Sequence, residues 1–333
     1  MCGIVGIISN RRLTRPEKQT FSWMLYACRF RGVHGTGLFW EEPEGVFYIK
    51  DTLSPEKLME TYDDSFDTSN VIKGDISYVV GHCRQKTVGA TSLENCHPFL
   101  SKDGAILGVH NGTVHRHQNQ IPEYFKSEVD SQAIFEAFSN GYTVDQLESD
   151  TETDFTLVWR DDNDSTLNFA RNDYRPLRVM LTEDKQTLYF ASETWMITRS
   201  LQMANRSVKI SEARDMPVGT QWSFPISDKG MLQNTTERKF EIKERHKPRP
   251  LPAPASKPGP YHSPGATKSR ANEVKPPVSW TDSEWEAALS EGCQVCSVPI
   301  EKKEFDSGEP YQACFTYNLQ TPVCGVCRAY ADY

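Results

Sequence analysis

The chain begins with Met1-Cys2-Gly3-Ile4-Val5-Gly6-Ile7-Ile8, a cysteine followed by an apolar, β-branched run of the kind that forms a buried strand. A cysteine in this position has two interpretations. It can be a small apolar residue at the end of that strand. Alternatively, Met1 is removed, and Cys2 then carries both a thiol and the α-amino group of the chain. The second interpretation predicts an N-terminal nucleophile.

The composition argues against several classes of protein. A net charge of -8 at pH 7 disfavours nucleic-acid binding over most of the surface. No apolar run is long enough to span a membrane, and no basic stretch of an export signal precedes the first apolar residues. Without an export signal, the nine cysteines favour catalysis or metal binding over disulfides. We therefore expect a cytoplasmic protein that does not enter a membrane.

Strand and helix signals alternate over the first 240 residues. Thr14 and Glu17 have the spacing of a capping box, and the apolar residues that follow them recur at helical spacing. Similar patterns predict helices at 130–138 and 195–203 and strands at 78–83, 105–109, 155–160, 166–170, 178–181, 187–191 and 221–224. Many strands with few helices between them predict an α+β fold in which helices pack outside stacked sheets.

Four further stretches bear on the role of Cys2. They are Arg31-Gly32-Val33-His34-Gly35-Thr36-Gly37, Gly81-His82-Cys83-Arg84, His110-Asn111-Gly112-Thr113 and Ser127-Glu128-Val129-Asp130-Ser131. Together with the start of the chain, their order and spacing resemble the class II glutamine amidotransferase domain, whose nucleophile is N-terminal. The resemblance covers about residues 2–240. It implies a four-layer αββα sandwich of the N-terminal nucleophile (Ntn) hydrolase type over residues 1–243, and it favours the catalytic interpretation of Cys2.

The chemistry explains why the nucleophile is placed at the N-terminus. Hydrolysis of an amide requires a nucleophile, a base for its proton and hydrogen-bond donors for the oxyanion. An unperturbed α-amine has a pKa of about 7.7–8.0, close to the working pH at which a general base is most effective. A peptide nitrogen cannot serve as this base. Removal of Met1 therefore makes Cys2 both nucleophile and base, and this chemistry needs no cofactor.

The resemblance also implies a role for each of several other residues. Asn111 donates its side-chain N–H, and Gly112 its backbone N–H, to the oxyanion. Arg84 binds the α-carboxylate of L-glutamine, Asp130 binds its α-ammonium group, and the pocket wall is formed by Thr87, Val88 and Gly89. Simpler interpretations remain: Asn-Gly is also a frequent hairpin turn, and an arginine and an aspartate can form a surface ion pair. His34 and Gln85-Lys86 depart from the usual pattern of the family.

A proline-rich basic linker follows at residues 244–279. Residues 246–277 contain nine of the twenty prolines and six Lys or Arg, a composition that forms an extended tether. Residues 280–333 then carry two C-x-x-C pairs, which predict a structural zinc bound by Cys293, Cys296, Cys324 and Cys327. Cys314 is a spare thiol. His115 and His117 could bind a metal, but exposed loop residues explain them more simply.

No synthetase domain is recognisable in this sequence. We therefore expect a glutaminase that supplies ammonia to a separate acceptor enzyme, which docks through the zinc-binding module. Two alternatives stay open: a stand-alone hydrolase of γ-glutamyl amides or peptides, and an inactive amidotransferase fold that acts as an adaptor through its zinc tail. The basic linker and the zinc module could also contact nucleic acid, although the linker is more simply a solvated tether.

Overall fold

The computed structural model describes most of the region that precedes the linker. The chain divides into two compact units, Met1–Lys243 and Glu244–Tyr333. The described residues are 2–62, 67–86, 90–115, 129–173, 175–204, 206–226, 230–243, 314–315 and 322–323. Among them, no helix combines the length and apolarity that crossing a bilayer requires. The proline-rich linker lies outside these residues.

The first unit is α+β, and its strands form two antiparallel sheets. The helices are α1 (Arg15–Cys28), α2 (Pro55–Glu60), α3 (Asp130–Ser139), α4 (Val144–Asp150) and α5 (Thr194–Met203). The strands are β1 (Gly3–Ser9), β2 (Thr36–Glu42), β3 (Gly45–Asp51), β4 (Tyr78–Cys83), β5 (Phe99–Leu100), β6 (Ile106–His115), β7 (Glu152–Asp161), β8 (Thr166–Arg171), β9 (Arg178–Leu181), β10 (Thr187–Ala191), β11 (Arg214–Asp215), β12 (Thr220–Pro225) and β13 (Thr236–Lys239).

The strand order places the start of the chain at the centre of the first sheet. That sheet runs β11-β9-β10-β1-β4-β2-β3, and the second runs β13-β12-β8-β7-β6-β5. In the second unit, β14 (Cys314–Phe315) pairs antiparallel with β15 (Pro322–Val323). Because β1 has a partner on each side, its backbone is fixed in register along its whole length.

The two sheets pack face to face, with helices on both outer faces. The inter-sheet core contains Ile4 and Val109. Helices α1 and α5 cover the outside of the first sheet through residues such as Phe21 and Ile197. Helix α3 covers the outside of the second sheet through residues such as Ile134. The predicted four-layer αββα arrangement is therefore confirmed.

Strand β1 is apolar on both faces because both faces are covered. Ile4 and Ile8 lie in the inter-sheet core, whereas Val5 and Ile7 pack toward the helices. Side chains alternate between the faces of a strand, so the position two residues before Ile4 belongs to the inter-sheet face. That position is Cys2, and the pleat therefore directs it toward the second sheet.

A buried carboxylate joins the start of α1 to the first sheet. Glu17 is 1% exposed and accepts hydrogen bonds from Arg11 Nη1 at 2.8 Å, from the Thr14 backbone N–H at 2.8 Å and from Thr187 Oγ1 at 3.0 Å. Burial alone would raise the pKa of Glu17, but the hydrogen bonds from Arg11 and Thr14 outweigh it and lower the pKa below its usual value. The ionised form therefore stabilises the folded state.

We expect Glu17→Gln to lower the free energy of unfolding at pH 7 by about 1–3 kcal/mol, because an amide cannot accept all of these hydrogen bonds. A carboxyl group whose folded pKa is lowered stabilises the protein above its unfolded pKa of about 4.3 and loses this effect as the pH falls through the folded value. Urea titrations should therefore show the wild-type and variant stabilities converging in acid.

The exposed Glu183 provides a control for this prediction, since its ion pair with Lys209 is on the surface at 3.7 Å. Glu183→Gln should change the stability by less than about 0.5 kcal/mol. A Glu17→Gln effect of the same size at acidic and neutral pH would contradict the assignment of the ionised carboxylate.

Candidate active site

Cys2 lies immediately before β1 and is half-buried. Its thiol contacts the backbone of Gln85 twice: the Gln85 N–H donates to Sγ at 3.3 Å, and the S–H donates to the Gln85 carbonyl at 3.5 Å. Burial raises the pKa of the Cys2 thiol, and the Gln85 N–H and the charges of Arg84 and Arg31 only partly oppose this increase. The resting thiol is therefore protonated at neutral pH and needs a base before it can act as a nucleophile.

Arg31 fixes the backbone of Cys2. Its Nε donates to the Cys2 carbonyl at 2.7 Å, and its guanidinium forms a buried ion pair with Glu193. Glu193 also accepts a hydrogen bond from Trp195 Nε1 at 2.8 Å. Gly3 follows Cys2 and packs against Arg31. A Cβ on Gly3 would lie 2.5 Å from the Sγ of Cys28, so only glycine fits at position 3. The linear sequence assigns Arg31 no role, because its partners are distant along the chain.

Arg84 is a neighbour of Cys2 across the sheet. Gly3 pairs with Cys83 in the β1–β4 ladder, so the next position along each strand brings Cys2 opposite Arg84. Arg84 is 4% exposed, and its Nη1 donates to the carbonyl of Ala90 at 3.0 Å. The structure therefore brings the predicted nucleophile and the predicted carboxylate-binding residue together.

The loop before β2 supports the backbone on either side of Arg84. Arg84 N–H donates to the carbonyl of Gly35 at 2.7 Å, and the Arg84 carbonyl accepts from His34 N–H at 2.9 Å. Lys86 N–H donates to His34 Nδ1 at 3.3 Å. A Cβ on Gly32 would lie 2.3 Å from the carbonyl carbon of Arg84, so the loop must carry glycine there. The unusual His34 thus takes part in positioning residues 84–86.

Asn111 is in the interior of β6, opposite Thr156 of β7, so the Asn-Gly pair is not a hairpin turn. It is 2% exposed, and its Nδ2 is buried without a hydrogen-bond partner among the described residues. Leu107 and Val109 of the same strand lie in the inter-sheet core, and alternation directs Asn111 to that face as well. A buried amide donor without a partner is costly, and such groups often serve a ligand.

Gly112 has no space for a side chain. A Cβ there would lie 1.7 Å from the carbonyl oxygen of Asp154 and 2.5 Å from His110 Nε2. Neither neighbour can give way easily, because one is backbone and the other is a buried ring. The Asn111-Gly112 segment is therefore tightly packed from the side of β7, and glycine is required by this close approach rather than by a turn.

Helix α3 begins beside this segment. His110 Nδ1 lies 2.9 Å from Ser131 Oγ, which joins β6 to the first turn of α3. Asp130 is the first residue of that helix, so the backbone that carries the predicted ammonium-binding residue lies next to the strand that carries Asn111. The Asp130 side chain lies outside the described residues.

Other predicted site residues also lie outside the described part of the chain. These are the pocket residues Thr87, Val88 and Gly89, the side chain of His115, all of His117, and the zinc ligands Cys293, Cys296, Cys324 and Cys327. Among the described residues, no group of three or more His, Cys, Asp or Glu is arranged to bind a metal ion.

Three comparisons with known proteins bear on this site. No family model matches the chain. Amidophosphoribosyltransferase of Methanocaldococcus jannaschii is 27% identical over 214 residues, which cover 60% of this chain and 43% of that protein. Glutamine–fructose-6-phosphate aminotransferase of Streptococcus pyogenes is 26% identical over 203 residues, covering 55% of this chain and 31% of that protein. The chain thus spans less than half the length of these curated relatives.

Solved structures agree on the fold. Glutamine phosphoribosylpyrophosphate amidotransferase of B. subtilis superposes with a TM-score of 0.52 at 17% identity, covering 73% of this chain and 50% of that one. The region that these relatives share with this chain is similar to class II glutamine amidotransferase domains. The first unit of this chain, Met1–Lys243, therefore has the Ntn hydrolase fold and is similar in sequence to class II glutamine amidotransferase domains.

Proposed function

We propose that this chain is a glutaminase, which hydrolyses the side-chain amide of L-glutamine to glutamate and ammonia through Cys2. The observation that carries the proposal is the buried, unpartnered Nδ2 of Asn111, which faces the sheet that bears Cys2. A donor of this kind suits the negative charge that develops on the amide oxygen. The relatives' names and the shared domain support the same class of reaction.

In the proposed mechanism, the free α-amine of Cys2 accepts the thiol proton after Met1 has been removed. Sγ attacks the amide carbon, and the carbonyl π electrons move to the oxygen, where Asn111 Nδ2 and Gly112 N–H donate hydrogen bonds. Collapse of this tetrahedral intermediate breaks the C–N bond, and the protonated amine returns its proton to the leaving ammonia. Water then hydrolyses the thioester to glutamate and regenerates the thiol.

Substrate recognition in this proposal uses two opposite charges. The planar guanidinium of Arg84, across the sheet from Cys2, binds the α-carboxylate, and Asp130 binds the α-ammonium group. Thr87, Val88 and Gly89 complete the pocket between them. A free amino acid satisfies both charged groups, whereas a simple amide satisfies neither, so we expect glutamine to be preferred to amides without these charges.

The test measures ammonia and glutamate released from L-glutamine, L-asparagine and a series of γ-glutamyl amides and peptides. A clear preference for glutamine supports the glutaminase. Faster turnover of γ-glutamyl compounds with larger leaving groups would favour the stand-alone hydrolase instead. A purified chain that retains Met1 and hydrolyses none of these compounds would favour the adaptor.

We further propose that the ammonia serves a separate acceptor enzyme in the cytoplasm. The basis is that the relatives' names describe transfer to a sugar phosphate, whereas no synthetase domain is recognisable in this sequence. Crosslinking of the full-length protein in cell extract, followed by mass spectrometry, would identify this partner. A true acceptor should raise glutamine turnover when it is added with its own substrate.

We also propose that residues 280–333 bind one structural zinc through the four cysteines of the two C-x-x-C pairs. Elemental analysis should find about one zinc per chain, and Cys293→Ser should lose it while Cys314→Ser retains it. Glutamine hydrolysis by the full-length protein should survive zinc removal, because the proposed chemistry uses Cys2 alone. Purified protein with no zinc, or equal loss in both variants, would contradict this assignment.

A further inference from the structure

We propose that His82 is a positioning residue that sets the distance between the nucleophile and the oxyanion donor by joining the two sheets. The inference rests on the proposed glutaminase function. Cys2 is next to a strand of the first sheet, and Asn111 is on a strand of the second sheet. The reacting geometry therefore depends on how the two sheets are spaced at this end of the inter-sheet core.

His82 belongs to the first sheet and lies close to Cys2. It lies on β4 and pairs with Ile4, two residues after Cys2. Its side chain is fully buried, and alternation along β4 places it on the same face as Val80, which lies in the inter-sheet core. Cys2 and His82 thus project from adjacent strands toward the second sheet, in diagonal positions of one ladder.

The ring of His82 reaches the second sheet immediately before Asn111. His82 Nε2 lies 3.2 Å from the backbone carbonyl of His110. A carbonyl only accepts hydrogen bonds, so Nε2 must carry the proton and Nδ1 the lone pair. The Nδ1 atom is buried without a partner among the described residues. The single contact at Nε2 thus defines the tautomer of His82 as well as the distance between β4 and the start of the Asn111 segment.

The opposite side of the same segment is also braced. His110 Nε2 donates to the Asp154 carbonyl at 3.2 Å, and His110 Nδ1 accepts from Ser131 Oγ at 2.9 Å. Gly112 is packed against the Asp154 carbonyl. Residues 110–112 therefore contact β7 and α3 on the side away from the first sheet. His82 contacts the same segment from the first sheet. Removing His82 would let the segment shift relative to Cys2.

The surroundings of His82 favour a positioning role over proton transfer. The titratable and charged groups that face it are His97, His110 and Arg84. The His97 ring lies 3.8 Å away between centroids and is tilted by 35°. Burial lowers the pKa of His82 to about 3, against a raising effect of the hydrogen bond to His110. A ring that stays neutral throughout the assay range acts here as a fixed hydrogen-bond donor.

The experiment compares three replacements of His82 by their steady-state kinetics with L-glutamine. His82→Leu removes the donor, His82→Asn is too short to reach the His110 carbonyl, and His82→Gln places an amide N–H near the former Nε2. Leu and Asn should each lower kcat by about 10- to 100-fold with little change in KM, because a misplaced oxyanion donor weakens only the transition state. Gln should recover most of kcat.

His97 supplies the matched control. It is a buried imidazole in contact with His82 and is 3% exposed, but neither of its ring nitrogens has a hydrogen-bond partner among the described residues. His97→Leu should therefore keep kcat within about threefold of wild type, even if the protein unfolds at a lower temperature. Equal losses of kcat in His97→Leu and His82→Leu would show a general packing effect and overturn the inference.

A double-mutant cycle with Asn111→Ala is the sharper part of the test. If His82 acts through the segment that carries Asn111, the loss of kcat caused by His82→Leu should be clearly smaller once Asn111 is already alanine, and the remainder should reflect the shifted Gly112 N–H. A full additional loss would show that His82 acts elsewhere, and a shifted pH profile of kcat in His82→Gln would show that it transfers protons. Wild-type protein that does not hydrolyse glutamine would instead refute the proposed function itself.

Discussion

Replacing Cys2 by alanine is expected to abolish ammonia release from L-glutamine, with kcat lower by about 10³-fold or more. The thiol is the group that forms the covalent bond to the amide carbon, and the methyl group of alanine cannot form this bond. The fold should be unaffected, because Cys2 precedes β1 and is only half-buried. Coupled assay of glutamate and direct assay of ammonia would measure the loss.

The thiol of Cys96 provides the control for this substitution. Cys96 is buried, and its S–H donates to the Ser92 carbonyl at 3.3 Å, a hydrogen bond that serine can retain. Cys96→Ser should therefore keep kcat within about threefold. A glutamine analogue that alkylates thiols should label Cys2 in the wild type, and mass spectrometry would locate it. Labelling at a different cysteine, or turnover by Cys2→Ala, would contradict the proposed nucleophile.

Local sequence signals predict much of the fold correctly. The Thr14–Glu17 capping box is present at the start of α1, and the paired runs near 155–170 and 178–191 form hairpins β7–β8 and β9–β10. These elements are predictable because their signals lie within a few residues of one another. The stacking of two sheets with helices outside follows from the proportion of strands to helices.

The β2–β3 hairpin has no matching strand prediction, and for β2 the reason is physical. Residues 31–37 stand out in the sequence only as a motif, yet Thr36–Glu42 pairs with Gly45–Asp51 in the folded chain. Phe39 packs in the inter-sheet core and Trp40 in the core beneath the helices. Because β2 is buried on both faces, it shows no polar–apolar alternation, and the usual strand pattern is absent there.

The candidate site is predictable by residue type but not by its supporting contacts. The order and spacing of the motifs point to Cys2, Arg84 and Asn111. The contacts of Arg31 with Glu193 and of His82 with the His110 carbonyl link residues 162 and 28 positions apart. Such contacts depend on the packing of sheets and helices, which a linear pattern does not encode. The residues that orient the site therefore become visible only in the folded protein.

Asn111→Ala is expected to lower kcat by about 10²–10³-fold, equivalent to about 2.7–4 kcal/mol of transition-state stabilisation, with KM little changed. The amide N–H is needed only when charge develops on the substrate oxygen, so its loss should leave ground-state binding nearly intact. Stability should fall little, because the variant removes a buried donor that has no partner among the described residues of the free protein. The measurement pairs steady-state kinetics with urea unfolding.

Asn168 is the matched control, since it is a buried asparagine in the same sheet whose Nδ2 already donates to Thr166 Oγ1 at 2.8 Å. Asn168→Ala should reverse the pattern: it should lower the stability by about 1–3 kcal/mol, through loss of satisfied hydrogen bonds, while kcat stays near wild type. Asn111→Ala should lower kcat and Asn168→Ala should lower the stability. This contrast would distinguish a hydrogen-bond donor that acts in the reaction from one that stabilises the fold. If Asn111→Ala lost stability and retained kcat, Asn111 would be a structural residue and the oxyanion assignment would be wrong.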